Sequence, residues 1–113
     1  MRYMLLICGD DSAVLTDEQS AEMERDATAW VKEMDERGIR LHGSRLRPAA
    51  EATTVRVRDG RPTVFDGPFA ETKEQMGGYD LIECADLDEA IEVAAKHPVA
   101  RFWSIEVRPL WGQ

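Results

Sequence analysis

The chain has 113 residues, enough for one domain with its own core and no need of disulfide or metal support. It carries 14 basic against 22 acidic residues, a net charge of −8, which argues against a nucleic-acid backbone or an anionic membrane surface as partner. Hydrophobic residues make up 43% and charged residues 32%, the balance of a soluble globular protein, and no apolar run reaches the length of a membrane span.

The first element is YMLLIC (3–8), a strand. Both of its alternating sets are apolar: Tyr3, Leu5 and Ile7 on one side, Met4, Leu6 and Cys8 on the other. A strand covered on one face alternates, so this one is expected to be covered on both. Asp10 and Asp11 follow at once, so the apolar stretch is too short for a signal peptide, and a cytoplasmic protein is expected. Residues 16–38 read as a helix. Thr16 and Gln19 have the form of a capping box, and Met23, Ala27, Trp30, Val31 and Met34 form an apolar stripe. Gly38 closes the helix. The strand IRLHGSRL (39–46) follows and is broken by Pro48.

TTVRVR (53–58) and PTVF (62–65) flank an Asp-Gly pair, the signal of a hairpin. Val55 and Val57 point one way and Arg56 and Arg58 the other, which gives the hairpin a wet face. GYDLIEC (78–84) is a strand, and DLDEAIEVAAKH (86–97) is a helix with Asp86 as N-cap and Pro98 as stop. RFWSIEVRPL (101–110) is the last strand. The order is βαβ, hairpin, βαβ, in one domain over residues 1–113. Short connections and right-handed crossovers favour an α+β, ferredoxin-like split βαβ sheet. Both helices then lie on one face, and the bare face predicts a homodimer that packs sheet on sheet.

This layout gathers Gly9, Asp10, Asp11, Arg45, Arg47, the 66–78 segment, His97 and Arg101 at one edge. It sets Cys8 and Cys84 at opposite ends of neighbouring strands, more than about 10 Å apart and too far for a disulfide. Both cysteines read as small buried hydrophobes, and neither has metal-ligand spacing.

The strings ATTVRVRDG, DGPFAETKEQMGGYDLIEC, DLDEAIEVAA and SIEVRPLW, in this order, resemble the DGPF family, a branch of the YCII-related proteins. The resemblance runs over nearly the whole chain. It implies a dimeric α/β-barrel built on a ferredoxin-like monomer. It also implies two kinds of role: some relatives are small-molecule enzymes, and others are associated with extracytoplasmic-function sigma factors. In the enzymatic branch a helix-one His paired with an Asp forms the proposed dyad. Residues 17–37 here hold Asp26, Asp35 and several glutamates but no histidine, so that dyad is not carried over.

Two readings stand for Asp66-Gly67-Pro68-Phe69. One is turn chemistry, with Asp66 bonding its own backbone and Phe69 anchoring the turn in the core. The other is a carboxylate at the mouth of a dimer cleft. Glu71, Thr72, Lys73 and Glu74 either form a solvated turn or place an acid beside an amine to orient a polar ligand or move a proton. Gly77 and Gly78 allow a special conformation or close approach, with no phosphate-loop pattern around them. His42, in the middle of the second strand, is the better histidine for chemistry because that place can face the dimer cleft, with a hydrogen-bonded structural histidine as the other reading, while His97 suits a helix C-terminus as a cation. Arg45 and Arg47 suit a carboxylate or phosphate, or pair with Asp10, Asp11 or Glu71. Trp30, Trp103 and Trp111 read as packing residues.

The function expected is binding of a small molecule in a cleft beside the 66–74 segment, with acid–base chemistry by Asp66, His42 or Lys73. Arg45, Asp66, Glu71, Thr72, Lys73 and Glu74 are its contact residues, with no cofactor and no metal. The alternative is a non-enzymatic interaction module with a protein partner such as a sigma factor.

Overall fold

The computed structural model describes residues 1–10, 13–69 and 74–112. In chain order the elements are β1 (Arg2–Gly9), α1 (Asp17–Glu36), β2 (Arg40–Arg45), β3 (Thr53–Arg58), β4 (Arg61–Asp66), β5 (Gln75–Glu83), α2 (Leu87–Ala95), α3 (Val99–Phe102) and β6 (Ser104–Pro109). Four strands form one antiparallel sheet in the order β2-β5-β1-β6, the arrangement of a ferredoxin-like α+β fold. The hairpin β3-β4 is a separate two-stranded sheet.

The helices begin where side chains can satisfy their first free N–H groups. Thr16 accepts a hydrogen bond from the Gln19 N–H at 3.0 Å, and Gln19 accepts one from the Thr16 N–H at 3.0 Å. Asp86 caps α2 in the same way, accepting from the Glu89 N–H at 2.9 Å. Gly38, at φ 69°, lies just past the C-cap of α1, in a conformation other side chains resist. Trp30 and Met34 of the α1 stripe are buried against Tyr3, Leu5 and Ile82 of the sheet and Ala90 and Val93 of α2. The Trp30 indole donates to the Val93 carbonyl at 2.9 Å, so the pair of helices is joined by a buried hydrogen bond as well as by packing.

Several local expectations are corrected. The last strand does not begin at 101. Pro98 (φ −60°, ψ −29°) ends α2 but is itself helical, and it starts the short turn α3 before β6. His97 is not a cation at a helix end. It is buried, its ring meets Trp30 edge-on at 4.8 Å between centroids, and its Nδ1 accepts the Val99 N–H at 3.1 Å. Phe69 is not in the core: it is exposed, with the Arg56 guanidinium over its ring at 5.5 Å. Trp111 is fully exposed rather than packed. Arg47 pairs with Glu51 at 2.8 Å, a local partner one helical turn away.

The hairpin reverses the expected polarity. Its Val55, Val57 and Val64 side faces solvent, while Thr54, Arg56 and Phe65 on the other side are half-buried. The two cysteines are free and lie at opposite ends of the sheet, as the strand directions require: Cys8 is in register with Met76, whereas the Cys84 N–H bonds the Met1 carbonyl. The molecule measures 47 × 42 × 18 Å, and its radius of gyration is 15.9 Å. A globular chain of this length would have about 13 Å, so this is a thin slab, two layers deep.

Candidate functional site on the open sheet face

The helices cover one face of the sheet. The other face is built in rows by the strand register. His42, Leu81, Met4 and Arg108 form one row, and Ser44, Tyr79, Leu6 and Glu106 form the next. Met76, Cys8 and Ser104 complete it. Met4, Leu6, Leu81 and Tyr79 are half-buried here, at the middle of an apolar patch. Ion pairs fringe it: Arg2 with Glu83 at 3.0 Å, and Arg108 with Glu106.

His42 reaches this face because of a bulge. The β2–β5 register slips between Arg40 and His42, so Leu41 is an extra residue. Without it, Arg40 and His42 would share a face. With it, Arg40 is aligned with Ile82 on the helix side, and His42 is aligned with Leu81 on the open side. Tyr79, diagonal to His42, hydrogen-bonds its Nδ1 at 2.9 Å, with ring centroids 5.6 Å apart. That leaves Nε2 for another partner. The pair is a hydroxyl and an imidazole, able together to donate, accept or pass a proton, set in an apolar surround.

Arg40 meets Asp80 on the buried side at 2.8 Å, with Asp35 at 3.5 Å. Burial pushes the Asp80 carboxyl up, and the Arg40 guanidinium pulls it the other way. Gly43 makes room for the pair: a Cβ there would stand 2.0 Å from Asp80 Oδ1. Gly78 shows the close approach expected of it, since its Cβ would stand 3.1 Å from the Ser44 carbonyl oxygen.

The described candidates from the sequence are scattered among four places. His42 is exposed on the open face. Arg45 is aligned with Gly78 and so belongs to the opposite, helix-covered side at the β2 edge. Asp66 ends β4, exposed, in register with Thr53. Its turn is held by one backbone and one side-chain bond: the Gly67 N–H donates to the Ala52 carbonyl at 2.7 Å, and Thr54 Oγ1 donates to the Gly67 carbonyl at 2.7 Å. Glu74, exposed at the start of β5, accepts from Ser104 Oγ at 3.2 Å. Glu71, Thr72, Lys73 and Asp11 lie outside the described residues. A shallow recess at this edge is lined by Asp10, Ala13, Glu74, Phe102 and Trp103.

Cys8 is on the open face too, but burial first, and then the carboxylates of Glu106 and Glu74, push its thiol up, away from a nucleophile. Among the described residues no group of His, Cys, Asp and Glu could hold a metal ion. No helix among them is long and apolar enough to cross a membrane. Tyr79 was not legible as a site residue. Its sequence signal is only a polar tip inside a strand, and the bulge that brings His42 beside it leaves no trace in the pattern.

A ferredoxin-like slab with one bare, partly apolar sheet face defines the structural class. Within that class, the chain belongs to the YCII-related domain family, which it matches over residues 1–112. It is 40% identical over 114 residues to an uncharacterized protein of Rhizobium meliloti (strain 1021), an alignment that covers 97% of this chain and 92% of that one.

Proposed function

We propose that this protein is a homodimer joined through its helix-free sheet faces, and that it holds a small molecule in the cleft between them. The observation that carries this reading is the Tyr79–His42 hydrogen bond, 2.9 Å long, on a half-apolar surface open to solvent. A polar pair of this kind within an apolar wall is the composition of a ligand site, where a few fixed polar groups orient a largely apolar molecule. His42 is the proton-transferring group. Tyr79 orients its ring. Asp66 and Glu74 stand at the mouth of the cleft.

Fragment screening by NMR tests this directly. Fragments that pair an apolar ring with one hydrogen-bonding group should move the His42 and Tyr79 side-chain signals and the Leu6 and Leu81 methyls. The His42→Ala variant should lose that response while keeping the fold. If no fragment disturbs those four residues, the small-molecule reading fails, and the interaction module with a protein partner takes its place.

A further inference from the structure

The hydrogen bonding left over on the open sheet face sets the chemistry of its ligand. His42 and Ser44 are two residues apart on β2 and share that face, in register with Leu81 and Tyr79. The His42 Nδ1 is taken by the Tyr79 hydroxyl at 2.9 Å. Its Nε2 then follows the tautomer: it donates when Tyr79 is the donor to Nδ1, and it accepts when Nδ1 is the donor. The Ser44 hydroxyl gives its one hydrogen to the Arg45 carbonyl at 3.0 Å, so its oxygen has only acceptor capacity to offer. A ligand that carries acceptors alone meets one tautomer of His42 and has nothing to give Ser44. A hydroxyl both donates and accepts, so it meets Nε2 in either tautomer and has a hydrogen to give the Ser44 oxygen.

Charge narrows the class. Among the described residues, the strands bring two ion pairs to this face, Arg2 with Glu83 at 3.0 Å and Arg108 with Glu106. Glu83 is diagonal to His42 through Leu81, so an anionic ligand at His42 meets a carboxylate first. Arg108 shares the His42 row but stands three strand spacings away, roughly 14 Å. Glu74 lies beyond the far end of the rows, where it accepts from Ser104 Oγ. A second copy adds the same pairs and no surplus of either sign. A charge carried into this apolar surround has no opposite charge held ready for it, and its lost hydration goes uncompensated. Around the polar pair are Met4, Leu6 and Leu81, with Met76 further along. The unbranched methionines adapt to an apolar body of varied shape.

We propose that the ligand of this face is an uncharged alcohol: an apolar body with a hydroxyl that bonds His42 Nε2 and has Ser44 Oγ as its second partner. The proposal rests on the small-molecule reading and adds the chemical class.

NMR titration of the full chain with four cyclohexane derivatives tests it. Cyclohexanol, methoxycyclohexane, cyclohexanecarboxylate and cyclohexylammonium share the apolar ring and differ in the polar group. Cyclohexanol should shift the His42 and Tyr79 side-chain signals with a Kd at least about fivefold below that of the ether, the worth of one hydrogen bond. Both ions should bind more weakly than the alcohol. Ser44→Ala should cut the alcohol's advantage over the ether at least about twofold and leave the ether's own Kd unchanged. An unchanged advantage would overturn the part given to Ser44. If the ether matches the alcohol, or either ion binds as tightly, the class is overturned and the site stands. The same holds if none of the four shifts those signals while other fragments do. If no fragment of any kind shifts them, the small-molecule reading falls and the class falls with it.

Discussion

His97 is held neutral by two causes that act together. Burial pushes it from the ordinary 6.5 down to about 4, and its Nδ1 must stay unprotonated to accept the Val99 N–H. The folded state therefore binds fewer protons than the unfolded state between those two values. Its contribution to stability is complete above pH 6.5 and is lost as the pH falls toward about 4, an effect of up to about 3 kcal/mol. His97→Asn keeps an acceptor near the Nδ1 position and removes the titrating ring. Urea unfolding at stepped pH should show a smaller loss of stability in the variant across that window. Parallel profiles would mean that His97 is not the group responsible. A histidine after a run of alanines was visible in the sequence, but whether it ends a helix as a cation or enters the core as a neutral ring depends on Trp30, far away in the chain.

The elements were legible where local chemistry is self-contained. The capping box at Thr16, the N-cap at Asp86, the glycine past the end of α1 and the Asp-Gly hairpin turn all satisfy backbone groups within a few residues, and the structure shows each of them. Thr16→Ala should lower stability by about 1 kcal/mol, with the loss confined to the start of α1 in hydrogen-exchange measurements. An unchanged exchange pattern there would show that the cap contributes nothing. The Leu41 bulge was not legible. Its alignment comes from β5, a strand some forty residues on, and it decides which face His42 takes. The hairpin was half legible: alternation separates the Val side from the Arg side but does not say which of them meets water.

At the scale of the whole molecule, the slab is 18 Å thick and leaves the second side of β1 without a covering layer. Met4 and Leu6 on that side form the apolar surplus that the first strand shows in the sequence. Burying such a patch is worth about 25 cal/mol per Å² of apolar area removed from water, enough to drive association if a like surface meets it. Leu81→Glu would place a charge in its centre. In the proposed dimer, light scattering should then report half the wild-type mass with the fold unchanged, and a variant that keeps the wild-type mass would exclude this face as the interface.

The sequence alone determined the order of the six strands and the two long helices, the ferredoxin-like α+β class and the apolar character of both sides of β1, because periodicity, caps and turns are written in neighbouring residues. Only the tertiary structure decided the pairing of Tyr79 with His42, the separation of Arg45 from them, the neutral burial of His97 and the outward turn of the hairpin valines. Each of these depends on register between strands distant in the chain, and one inserted residue is enough to change the face on which a side chain stands.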